Sequence, residues 1–149
     1  MIAGPDGERV VAFDNYFITP REDVLRENVL KPNEIMTEVF IPAPAAGTRQ
    51  TWMKLKNRDV YDFALVSVAA AFTVENDNWK DGRIVLGGVS PVPYRATGIE
   101  NQLKGKHVRN TIKQAAASIR TVARPMSMNA YKVDIAQNMV ERTILQGLA

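Results

Sequence analysis

The sequence has 149 residues, 46% hydrophobic and 23% charged, with no cysteine, one histidine and a net charge of +3. That length suits one ordinary domain, and the composition excludes a disordered chain. No thiolate is present for a disulfide or an iron–sulfur cluster, and a lone His107 argues against a histidine-rich zinc site.

The opening Met1 to Val11 carries Pro5, Asp6 and Gly7 where a secretory leader needs an apolar run. No segment approaches the roughly 20 apolar residues of a membrane span. A soluble, cytoplasmic protein is expected.

Gly4-Pro5-Asp6-Gly7 reads as a turn and Arg9 to Phe13 as a short strand. Thr19 to Lys31 is a charged connection. Glu34 to Ile41 alternates with period two, which predicts a strand ended by Pro42 and Pro44. Trp52 to Lys56 reads as a second strand. Leu65 to Val74, rich in Val, Ala and Phe, reads as a central one. Asn76-Asp77-Asn78 is a turn. Arg83 to Val89 is a further strand, and Gly87-Gly88 near its end permits close backbone approach.

Helices follow. Thr97-Gly98-Ile99-Glu100 has capping-box form, and Gly105 is placed to end that short helix. Ile112, Ala115, Ala116, Ile119 and Val122 form one helical stripe, and Pro125 stops it. Val133, Ala136, Val140, Ile144 and Leu148 form the stripe of a long last helix. His107 reads as an exposed turn residue. Strands first and helices later imply an α+β fold: a small antiparallel sheet of three to four strands with about three α-helices on one face.

Charge is uneven. Residues 1–100 carry a balance of −3 and residues 101–149 a balance of +6, with no carboxylate from Asn101 to Val133. Lys104, Lys106, Arg109, Lys113, Arg120, Arg124 and Lys132 fill that stretch. It reads as a solvated helical face or as a docking surface for an acidic partner. No aromatic platform accompanies it, so nucleic acid is not an expected partner. No Walker loop, dinucleotide fingerprint or catalytic triad is present, and no catalytic residue or metal site is assigned. On composition and spacing alone the chain is an α+β domain without an assigned role.

Four segments carry a family resemblance. They are Asp14-Asn15-Tyr16-Phe17, then Leu30-Lys31-Pro32-Asn33-Glu34-Ile35-Met36 running into Ile41-Pro42. Lys54-Leu55-Lys56-Asn57-Arg58 follows, with Asp62-Phe63-Ala64-Leu65-Val66-Ser67-Val68-Ala69. The fourth is Ile84-Val85-Leu86-Gly87-Gly88-Val89-Ser90-Pro91-Val92-Pro93-Tyr94-Arg95-Ala96. In this order they resemble the C-terminal domain of the FAD-binding (medium) subunit of the molybdenum hydroxylase, xanthine dehydrogenase and CO dehydrogenase flavoprotein family. Asn129-Ala130-Tyr131-Lys132-Val133 is similar to the aldehyde-oxidoreductase type.

The resemblance implies a domain that covers one side of the FAD isoalloxazine ring and supports electron transfer from iron–sulfur clusters through FAD to an acceptor. It implies an iron–sulfur subunit and a molybdopterin subunit as partners. Leu30 and Met36 would be apolar wall against the ring, and Lys54 would lie near its edge. Arg58 and Asp62 fall at the family's charged positions, and Tyr61 would shape acceptor access. The Gly-rich turns that hold the FAD phosphates in the family have no counterpart here. Residues 1–149 are therefore expected as a single domain lacking the FAD-phosphate-binding domain, binding FAD weakly or not at all and inactive alone. The alternative is a non-catalytic module that docks subunits through its basic helical face.

Overall fold

A computed structural model describes all residues, Met1–Ala149. The chain groups into two compact units, Met1–Pro44 and Ala45–Ala149. The physical reason lies in where apolar surface is buried. Ile2 is the one fully buried hydrophobic residue of the first unit, while the second holds a continuous core of its own.

In the first unit, β1 (Ile2–Gly4) pairs antiparallel with β2 (Gly7–Arg9) and with β3 (Ile35–Met36). The Gly4–Gly7 turn forms as the sequence predicts, with Gly7 at φ 106°. Two predicted strands are corrected. Pairing stops at Arg9, and Phe13–Asn15 is a 3-10 turn rather than strand. The alternating run from Glu34 to Ile41 is strand only at Ile35–Met36. Both faces of that alternation lie open, with Ile35 66%, Phe40 82% and Ile41 82% exposed, so the pattern has no sheet to pack on. Arg9 ties the unit together by donating to both carboxylate oxygens of Glu34 (3.0 and 2.7 Å) and to the Val29 carbonyl. With the Lys31 N–H, that guanidinium holds the Glu34 carboxyl at about 2, well below its ordinary value.

The second unit is a four-stranded antiparallel sheet in the order β4 (Arg49–Leu55), β5 (Val66–Glu75), β6 (Asn78–Gly87), β7 (Tyr94–Arg95). Along β5 the side chains alternate strictly. Val66, Val68, Ala70 and Phe72 are buried, whereas Ser67 is half-buried and Ala69 and Ala71 are exposed. The turn at Asn76-Asp77 takes φ 51° and 59°, the left-handed backbone that short polar side chains tolerate. β6 begins five residues earlier than the apolar run suggests, because the register shift near Thr73/Val74 turns Trp79 into the core beside Phe72. The two rings stack at 4.9 Å and 10°. Gly82 is required there: a Cβ would lie 2.4 Å from Phe72 Cβ and 2.5 Å from the Trp79 ring.

Helices α1 (Thr97–Leu103), α2 (Val108–Ala117), α3 (Ile119–Val122) and α4 (Tyr131–Gln146) cover the buried face. Ile99, Leu103, Ile112, Ile119, Val140 and Ile144 interlock with the strand residues. Gly105 at φ 73° ends α1 as predicted. The long helical stripe through Val122 is broken: α2 stops at Ser118, and Val122 is 56% exposed. His107 is half-buried at the start of α2 and bridges Asn78, rather than lying exposed in a turn.

The capping box is also corrected. α1 has no side-chain cap. Glu100 is 8% exposed and accepts instead from the Ile84 N–H at 2.8 Å and from Arg95 at 3.0 and 3.2 Å. A buried donor on β6 outcompetes the helix end, which water can serve. Glu100→Ala is expected to cost about 1–3 kcal/mol by leaving that N–H without an acceptor. Glu100→Gln, which keeps an acceptor oxygen, should cost less. Urea midpoints of the two variants measure the difference.

Candidate functional site

The helices leave the opposite sheet face bare. Lys54, Ser67 and Gly87 form one row across β4, β5 and β6, and Trp52, Ala69 and Val85 form the next. Both rows belong to a shallow depression of about 440 Å³, also lined by Pro93. Its floor is flat because its residues are small. A Cβ on Gly87 would meet Ser67 Oγ at 2.6 Å. Trp52 rises at one side, 69% exposed, and Lys54 adds a positive charge.

The β4–β5 connection stands beside this floor. Leu65 N–H donates to the Leu55 carbonyl at 2.8 Å and closes its root. Beyond the root, Arg58 holds Asp62 through two bonds of 2.9 and 3.1 Å, and Asp62 accepts the Phe63 N–H at 2.9 Å. Lys56 donates to the Val60 carbonyl at 2.9 Å. This framework fixes a turn whose aromatic side chains face water: Tyr61 is fully exposed and Phe63 is 93% exposed. Lys54 Nζ lies 5.8 Å from the Tyr61 ring centroid, within cation–π reach.

Lys54, Arg58, Tyr61 and Asp62, singled out from the sequence, are thus gathered on one hairpin. Leu30 and Met36 belong to the other unit. Leu30 is half-buried, its N–H held by Asn28 Oδ1 at 3.0 Å, and Met36 on β3 is 46% exposed. Phe63 and Trp52 were passed over in the sequence. The available signal was parity: Trp52 shares its strand face with Lys54, and Met53 faces the core. The basic stretch is partly neutralised from outside it. Arg109 pairs with Asp77 at 3.2 Å, and Arg120 pairs with Asp134.

Residues 50–146 match the CO dehydrogenase flavoprotein C-terminal domain family. The chain belongs to that family. The match falls within the second unit, the one that carries the bare sheet face and the hairpin. Two relatives of this flavoprotein domain extend the likeness over nearly the whole chain. The carbon monoxide dehydrogenase medium chain of Hydrogenophaga pseudoflava is 32% identical over 149 residues, covering 97% of this chain and 50% of the relative. The aldehyde oxidoreductase FAD-binding subunit PaoB of Escherichia coli (strain K12) is 28% identical over 148 residues, covering 97% and 43%. The chain spans about half the length of the curated relatives it matches.

Solved structures agree. Carbon monoxide dehydrogenase from Hydrogenophaga pseudoflava lacking the Mo-pyranopterin moiety of its molybdenum cofactor superposes with a TM-score of 0.85 at 30% identity, covering 99% of this chain and 51% of that one. Quinoline 2-oxidoreductase from Pseudomonas putida 86 shares the fold at 24% identity and a TM-score of 0.84, covering 98% and 50%.

The Arg58 bonds, the Phe63 N–H and the charges of Lys54 and Lys56 outweigh desolvation and hold the Asp62 carboxyl below its ordinary 3.8. A lowered carboxylate value means the pair's contribution to hairpin order is fully present above 3.8 and fades as pH falls through the native value. The Asp62 carboxyl-carbon resonance should therefore titrate below 3.8, and in Arg58→Met its midpoint should rise.

Proposed function

We propose that this chain completes the flavin site of a molybdenum hydroxylase, covering one side of the FAD isoalloxazine ring from its bare sheet face and aromatic hairpin. The observation that carries this reading is the pairing of a flat apolar floor with an adjacent cation, Lys54, and exposed aromatic side chains. Fully exposed Tyr61 and Phe63 suit a planar partner, because stacking removes apolar ring area from water. Membership of a flavoprotein domain family supports it.

The residues present fit the ring. Ser67, Ala69 and Gly87 leave room for a planar group, with Trp52 and Pro93 as rims. FAD supplies the two-electron chemistry and the link between iron–sulfur clusters and an acceptor. The chain's own residues hold, orient and shield. Lys54 places a positive charge at the ring edge, where partial exclusion of water strengthens the Coulomb term. Arg58 and Asp62 lock the turn, so that Tyr61 is presented at a fixed place on the route of an acceptor.

The phosphates of FAD need a separate cradle, and we place it in a preceding domain of the same flavin subunit. On this reading the isolated chain is inactive and binds FAD weakly or not at all. An iron–sulfur subunit and a molybdopterin subunit complete the assembly.

Flavin titration tests this with two samples, the chain alone and the chain joined behind an FAD-cradling domain. The fusion should bind and the lone chain stay silent. Lys54→Ala in the fusion should lower the FAD reduction potential by on the order of tens of millivolts. Tight binding by the lone chain, or no shift with Lys54→Ala, would contradict the assignment.

A further inference from the structure

Lys132 stands in the first turn of α4, where the helix dipole disfavours a cation. Its side chain compensates by reaching across 44 positions of sequence: the ammonium donates to the Gly88 carbonyl at 3.1 Å. Gly88 takes φ 75°, and a Cβ there would lie 2.9 Å from both the Ala64 and the Leu65 carbonyl oxygens. The turn after β6 therefore presses against the root of the β4–β5 hairpin. Phe63 is the residue immediately before that root, and Tyr61 lies two further on.

A mechanical chain follows from these contacts. α4 is the longest helix, anchored by buried Ala136, Met139, Val140 and Ile144. Lys132 fixes the Gly88 turn to that anchor, and the turn supports the hairpin root. The exposed aromatic residues have little packing of their own to hold them.

We propose that Lys132 is a positioning residue for the aromatic hairpin, acting on the flavin site through Gly88 without touching the ring. The inference rests on the flavin reading above. Removing the ammonium frees the Gly88 turn and lets the hairpin root open more often.

Amide hydrogen exchange on the chain itself reads the first step. Lys132→Met should speed exchange at Phe63 and Leu65 roughly two- to tenfold, the effect of one hydrogen bond. Val140 and Ile144 should keep their protection, and Lys132→Arg should restore slow exchange at the hairpin. In the fusion, Lys132→Met should move the FAD reduction potential in the same direction as Lys54→Ala, by a smaller amount. Unchanged exchange at the hairpin overturns the proposal. Faster exchange with an unmoved potential also overturns it, because Lys132 is then structural only. A Lys54→Ala variant without effect on the potential sinks the flavin reading separately, whatever the exchange shows, and the positioning role with it.

Discussion

Strict alternation along β5 governs the second unit. Val66, Val68, Ala70 and Phe72 point to one side and are buried, while Ser67, Ala69 and Ala71 point to the other and are small. A pleated strand has only these two faces, so one residue pattern sets two surfaces at once. The apolar side draws α1, α2 and α4 onto it, with Glu100 accepting from the Ile84 N–H of β6. The small side stays flat. Gly87 continues that flatness into β6, where a Cβ would crowd the Ser67 hydroxyl.

Function on this account comes from what the bare face lacks. No helix covers it, and the hairpin beside it exposes two aromatic rings held by a polar framework rather than by a core. Such a surface is unfavourable in water and favourable against a planar partner. Lys54 gives that partner a preferred charge. Asp62, bound by Arg58, keeps the turn in shape, and Lys54 lies within reach of the Tyr61 ring. The first unit has a different character. Ile2 alone is fully buried there, and its apolar residues from Ile35 to Ile41 are mostly exposed.

Most of the second unit was legible in the sequence. The central strand β5, the Asn76-Asp77 turn, the Gly105 stop and the last helical stripe each follow from local composition or spacing, and each formed. The misreadings have a common cause, which is competition that no local pattern contains. Glu100 matched a capping box but serves Ile84 across the sheet edge. Glu34 to Ile41 alternated as a strand should but found a partner for two residues only. Lys54, Arg58, Tyr61 and Asp62 were singled out by the family resemblance and not by a local rule, and one hairpin gathers them. Trp52 and Phe63 were passed over, although strand parity with Lys54 marks the open face for Trp52; Phe63 lies in the connection, where no such periodicity applies. Lys132 was hidden because its contact spans 44 residues and ends on a backbone oxygen.

The central claim is that the hairpin shields the flavin ring. Iodide quenching of flavin fluorescence tests it directly in the fusion of this chain with an FAD-cradling domain, comparing the parent with the Tyr61→Ala, Phe63→Ala double variant. A steeper quenching slope in the variant, with FAD still bound, is the expected result. An identical slope would mean that these rings never lie over the flavin and would contradict the account.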